Sequence, residues 1–110
     1  MKGFRYYVLD GKNVIGTNDM MRWVKMMEDS KSGNRIVQKT NLNRVDVSTV
    51  FLGLDHNFGA GPPLLFETMI FGGPNDGYQE RYETWEQAEA GHAKAVKVAG
   101  RVRKIQRVKT

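Results

Sequence analysis

TVFLGLDHNFGAGPPLLFETMIFGG, residues 49–73, decides the fold. Two apolar runs flank a loop that is rich in glycine and proline. DHNFGAGPP is too long for a two-residue hairpin turn, and its glycines permit backbone angles closed to other residues. The runs therefore predict adjacent antiparallel strands over about 45–54 and 64–71. In the first, Val45, Val47, Thr49 and Phe51 share one face, while Val50, Leu52 and Leu54 share the other. A strand apolar on both sides suits the centre of a sheet.

Upstream, FRYYVL (4–9) reads as a first strand, and Asp10-Gly11 is a turn signal. Asn18 or Asp19 can cap a helix whose Met20, Trp23, Val24 and Met27 recur on one face. SKSGN (30–34) ends that helix, RIVQKT (35–40) alternates as a short strand, and NLNR (41–44) turns the chain. Downstream, Thr84-Trp85-Glu86-Gln87 fits a capping box. Trp85, Ala88, His92, Ala95, Val96 and Ala99 then line one helical face. The predicted order is β-α-β-β-β-α, an α+β sandwich of about four antiparallel strands and two helices.

At 110 residues the chain has room for one core, so residues 1–100 are expected to form a single domain and 101–110 a basic tail. Of 17 basic residues, Lys97, Arg101, Arg103, Lys104, Arg107 and Lys109 supply six near the C-terminus, and no acid follows Glu89. Without those six, 11 basic residues face 12 acidic ones, so the net charge of +5 is a property of the tail. A basic arm can hold a phosphate backbone; the alternative is a solvated helix end. The chain has no cysteine, which excludes disulfides, thiolate metal sites and cysteine nucleophiles. No apolar run approaches a membrane span and no leader pattern opens the chain, so a cytoplasmic protein is expected.

Asp55-His56 sits at a strand end, where a rigid frame holds functional side chains. His56 offers a base, a ligand or a phosphate donor. For Asp55 an Asx-type turn, bonding backbone amides, is favoured. Glu67 lies in an otherwise apolar strand and needs a partner such as Arg81 or His56, unless it is exposed at an edge. His92 reads as a hydrogen-bonded core histidine, and Gly91 beside it hints at close packing or ligand approach. Tyr78, Tyr82 and Trp85 interleave with Arg81, as a base-stacking surface or a core rim would. Asp55, His56, Glu67 and His92 match no metal-binding spacing, and no nucleophile elbow, phosphate loop or dinucleotide fingerprint is present. Neither metal nor cofactor is expected, and the chain is read as non-enzymatic.

VSTVFLGLDHNFGAGPPLLFETMIFGGPNDGYQERYETWEQAEAGH (47–92) resembles a family of small proteins encoded by phages and prophages. The family pattern is a strand ending in FLGLDHNF, a glycine loop, PPLLFETM followed by Val or Ile and FGG, then RYxTWEEAEAGH. Residues 1–46 and 93–110 lie outside the resemblance. It implies a phage setting, in which small accessory proteins often counter host defence. The leading expectation is a homo-oligomeric sponge that sequesters a nucleotide immune signal such as a cyclic dinucleotide. Its site would draw on His56, Asn57, Phe58, Glu67, Thr68, Arg81, Tyr82 and Trp85, with bases stacked on Tyr82 or Phe58. The alternative is an anti-CRISPR-like inhibitor of a host defence protein that handles nucleic acid, its basic tail competing for the channel. A third reading is a small hydrolase using His56 and Glu67.

Overall fold

The structure, a computed structural model, describes residues 3–29 and 33–109, with side chains through residue 100. Its elements are β1 (Tyr6–Asp10), β2 (Asn13–Thr17), α1 (Met20–Glu28), β3 (Ile36–Leu42), β4 (Val45–Phe51), β5 (Phe66–Phe71), β6 (Gln79–Tyr82) and α2 (Trp85–Lys109). The fold is α+β, as predicted. The order is β-β-α-β-β-β-β-α, because β2 and β6 are strands that periodicity did not reveal. β2 (NVIGT) is short and interrupted by glycine, and β6 (QERY) is polar. Each gains its strand character from a neighbour's backbone rather than from its own pattern.

β3-β4-β5-β6 form one antiparallel sheet in chain order, and β1 and β2 pair as a separate hairpin. The predicted pairing of the two long runs holds from Asp46↔Phe71 to Phe51↔Phe66. β4 ends at Phe51, before the expected Leu54, although Leu52 still donates to the Leu65 carbonyl at 2.7 Å. Asn43, at φ 59, turns β3 into β4 in the left-handed region that asparagine tolerates.

Strand alternation divides the sheet into two faces. Val47, Thr49 and Phe51 of β4, with Phe66, Thr68 and Ile70 of β5, point inward and are buried. α2 lies across this face and closes one core over Val47 and Ile70 with Ala95 and Ala99. The hairpin and α1 complete a second core around Tyr7, Phe51, Leu65, Phe66 and Ala88, with Met26, Val37 and Trp85 at its margin. Trp23 anchors α1 through its indole N–H to the Gly53 carbonyl at 3.1 Å, and Asp19 caps it by accepting from Met21 and Arg22 amides.

The start of α2 follows the capping pattern with a one-residue change. Thr84 Oγ1 accepts from the Gln87 amide at 3.1 Å, while Gln87 Oε1 accepts from Glu83 N–H instead of the Thr84 amide. Small residues on the buried face of α2 let it lie close to the sheet: the Tyr82 ring rests against Gly91, in space a Cβ would fill. Gly91 therefore serves close packing.

Candidate functional site

The outward face of the four-stranded sheet carries no helix among the described residues. Its side chains follow from the register. Lys39 and Asn41 project from β3, Asp46, Ser48 and Val50 from β4, Glu67, Met69 and Phe71 from β5, and Gln79 and Arg81 from β6. Near the β3–β4 turn this face hollows into a depression of about 430 Å³, lined by Lys39, Thr40, Asn41, Asp46, Val47, Ser48 and Phe71. Phe71 is 48% exposed there, an aromatic surface directly paired across the ladder with Asp46. Asn41 Nδ2 donates to Asp46 Oδ1 at 2.8 Å and orients that carboxylate. Lys39 makes no ion pair among the described residues. A ring surface, one ammonium and a row of amide, carboxylate and hydroxyl groups can together receive a planar, anionic ligand.

Glu67 lies on the same face, one strand row away. Arg81 Nε donates to its Oε2 at 2.9 Å and Gln79 Nε2 donates to the same oxygen at 2.6 Å. Its partner is thus Arg81, the first of the two candidates. His56 is elsewhere, its Nδ1–H donating to the Leu54 carbonyl at 2.9 Å.

The residues singled out from the sequence fall into three places. Glu67 and Arg81 share the open face. Thr68 and Tyr82 turn inward beneath α2, since neighbours along a strand face opposite ways; Tyr82 is half-buried, its ring against Gly91 of α2. Trp85 starts α2 and packs edge-on against Phe66, ring centroids 6.1 Å apart. His56, Asn57 and Phe58 stand on the loop between β4 and β5. There Asp55 takes the turn role: its Oδ1 accepts from Asn57 and Leu64 amides at 2.7 and 3.0 Å. Asn57 ties the other limb, donating to Ala60 and Pro62 carbonyls and accepting from Gly59 N–H. Phe58, 91% exposed, is carried on the outside of this stapled loop.

His92 occupies the buried seam between the cores. Its Nε2 meets Thr40 Oγ1 at 2.8 Å and its Nδ1 meets Thr49 Oγ1 at 2.7 Å, and Thr49 continues the chain to Thr68. Burial pushes its pKa down, which favours the neutral ring, and both ring nitrogens serve structural bonds. At the sheet's far edge Tyr78 donates to Glu80 at 2.8 Å. Burial and that bond push the Tyr78 phenol up to about 12, and the bond pulls the Glu80 carboxyl down, assisted by Lys94 of α2.

Among the described residues no three His, Asp or Glu side chains come together as ion ligands, and no helix is long and apolar enough to cross a membrane. The side chains of the basic stretch 101–110 lie outside the described residues. Lys39, Asn41, Asp46, Ser48 and Phe71 were not picked out from the sequence. Alternation along β3, β4 and β5 was their signal, but it gathers them only once register is known.

No protein-family model matches this chain, and no curated protein or solved structure matches it.

Proposed function

We propose that this protein is a non-enzymatic, phage-type accessory factor that binds and sequesters a nucleotide immune signal on the open face of its sheet. The observation that carries the reading is the depression where Phe71, Lys39, Asn41, Asp46 and Ser48 converge. A base stacks on Phe71, an interaction of about 1–3 kcal/mol in aromatic platforms. Lys39 meets a phosphate, and Asp46 and Asn41 address the base edge. A four-stranded antiparallel sheet backed by helix is an architecture that serves such stacking elsewhere, an analogy of form. The phage setting rests on the resemblance of residues 47–92.

Sequestration without turnover is supported by the position of the histidines. His92 is locked between threonines on the other side of the sheet, and His56 is bonded within the loop, so neither attends Ser48 or Glu67. A nucleophile needs a base within hydrogen-bond reach.

The test is a thermal-shift panel of cyclic and linear signalling nucleotides, followed by heating the complex and recovering the ligand. Intact ligand is expected. Lys39→Ala and Phe71→Ala, both on the exposed face, should keep the free melting temperature and lose most of the ligand-induced shift. Recovery of a hydrolysed product would overturn the non-enzymatic reading, and a panel with no shift would overturn nucleotide binding.

A further inference from the structure

Two features remain outside that site, and they lie beside each other. The first is Phe58. Its 91% exposure is the highest among the large hydrophobic residues described, and its ring lies near that of His56, with centroids 6.2 Å apart. A wandering loop would explain such exposure, but this loop is held by the Asp55 and Asn57 bonds and by His56 N–H to the Leu64 carbonyl at 3.0 Å. The backbone that presents the ring is thus held, which lowers the entropy lost when the ring is buried.

The second is a cavity of about 290 Å³ at the start of α2, with Val14, Pro63, Leu65 and Trp85 as its apolar lining. A cavity of roughly 150 Å³ already admits a benzene ring, so a phenylalanine side chain fits here. Charged residues share the lining: Lys12 from the β1–β2 turn, with Glu83 and Glu86 at the start of α2. Asn57 donates to the Pro62 carbonyl at 2.9 Å, so Phe58 and Pro63 each follow a partner of that bond, and projection and hollow are neighbours. A two-fold axis requires that proximity, since each copy must give and receive through the same patch. The lining is also self-complementary in charge: Lys12 of one copy can face a glutamate of the other.

We propose that a second copy of this chain docks here, each protomer seating Phe58 in the Val14–Leu65–Trp85 cavity of its partner. The two exchanged rings form the apolar centre of an isologous dimer, and Lys12 with Glu83 and Glu86 form its polar rim. Buried aromatic anchors ringed by polar residues are the usual energetic centre of such interfaces. The open sheet face takes no part, so nucleotide binding and pairing are separate properties.

Sedimentation equilibrium over about 1–500 µM, a range that brackets micromolar pairing, tests this with circular dichroism to check folding. Wild type should be dimeric. Phe58→Ala, at an exposed loop position, and Asn13→Phe, which fills the hollow from its exposed rim, should each be folded monomers throughout. A monomeric wild type overturns the proposal. So does a Phe58→Ala variant that dimerises as wild type does, because pairing would then run through another surface. Lys39→Ala and Phe71→Ala should remain dimers, which keeps failure of the nucleotide reading distinct from failure of this one.

Discussion

Tyr82 lies with its ring against Gly91, across the interface between β6 and α2, in the space a side chain at 91 would need. That contact sets how close the helix comes to the sheet. It also explains why a glycine stands inside a long helix, where it costs about 1 kcal/mol relative to alanine.

Gly91→Ala should therefore destabilise the protein by about 1–3 kcal/mol through overpacking, despite alanine's better helix propensity. Gly100, with open space around its Cα, provides the contrast: Gly100→Ala should stabilise by about 0.5–1 kcal/mol. Urea denaturation measures both. A stabilised Gly91→Ala would show that Tyr82 yields easily and that the close approach is unimportant.

The His92 seam makes stability depend on pH. Burial holds its pKa below the ordinary 6.5, so the unfolded chain takes up a proton that the native state resists. The contribution is complete above about pH 6.5 and is lost as pH falls from there through the lowered folded value. Melting temperature should decline on acidification across this window, and His92→Gln should flatten the decline. Equal slopes for the two proteins would remove His92 as the cause.

Thr49→Val keeps shape but removes the hydroxyl that meets His92 Nδ1 and Thr68. A buried ring nitrogen without its partner costs about 1–3 kcal/mol. Chemical denaturation should show a loss in that range, and a change below about 0.5 kcal/mol, the spread of neutral surface substitutions, would mean the seam reorganises freely.

Glu67→Gln should lower the stability of the free protein, because Arg81 is its partner. Arg81 is a third exposed, with 33% of its side chain open to solvent. Screening therefore limits the loss to about 1 kcal/mol. An unchanged melting temperature would mean the pair contributes nothing on this open face.

Asp55→Ala removes the acceptor for two backbone amides and should loosen the loop from 55 to 64. The expected cost is about 1–2 kcal/mol, as for a lost cap. Limited proteolysis should begin near Gly59–Gly61, and resistance equal to wild type would assign the loop's order to Asn57 alone.

Most of the architecture was legible in the residues. The apolar runs 45–54 and 64–71 predicted the pairing seen between 46–51 and 66–71, and the run from Trp85 to Ala99 gave α2 its buried face, because both signals are local. Thr84 declared its helix start through capping chemistry, Asn18 or Asp19 marked the other, which the structure assigns to Asp19, and Asp55 was read as a turn residue. β6 was not legible: QERY has no strand pattern, and only β5's free edge draws it into the ladder. The site was scattered for a related reason. Thr68 and Glu67 are neighbours in sequence yet face opposite ways, one buried against Thr49 and the other paired on the open face. Conversely, Lys39, Asp46 and Phe71 come from three strands, and register alone brings them to one depression. Sequence by itself determined which segments bury a face and where helices start. Tertiary structure decided which side chains share a surface, since that depends on backbone hydrogen bonds between residues far apart in the chain, which side-chain pattern does not encode.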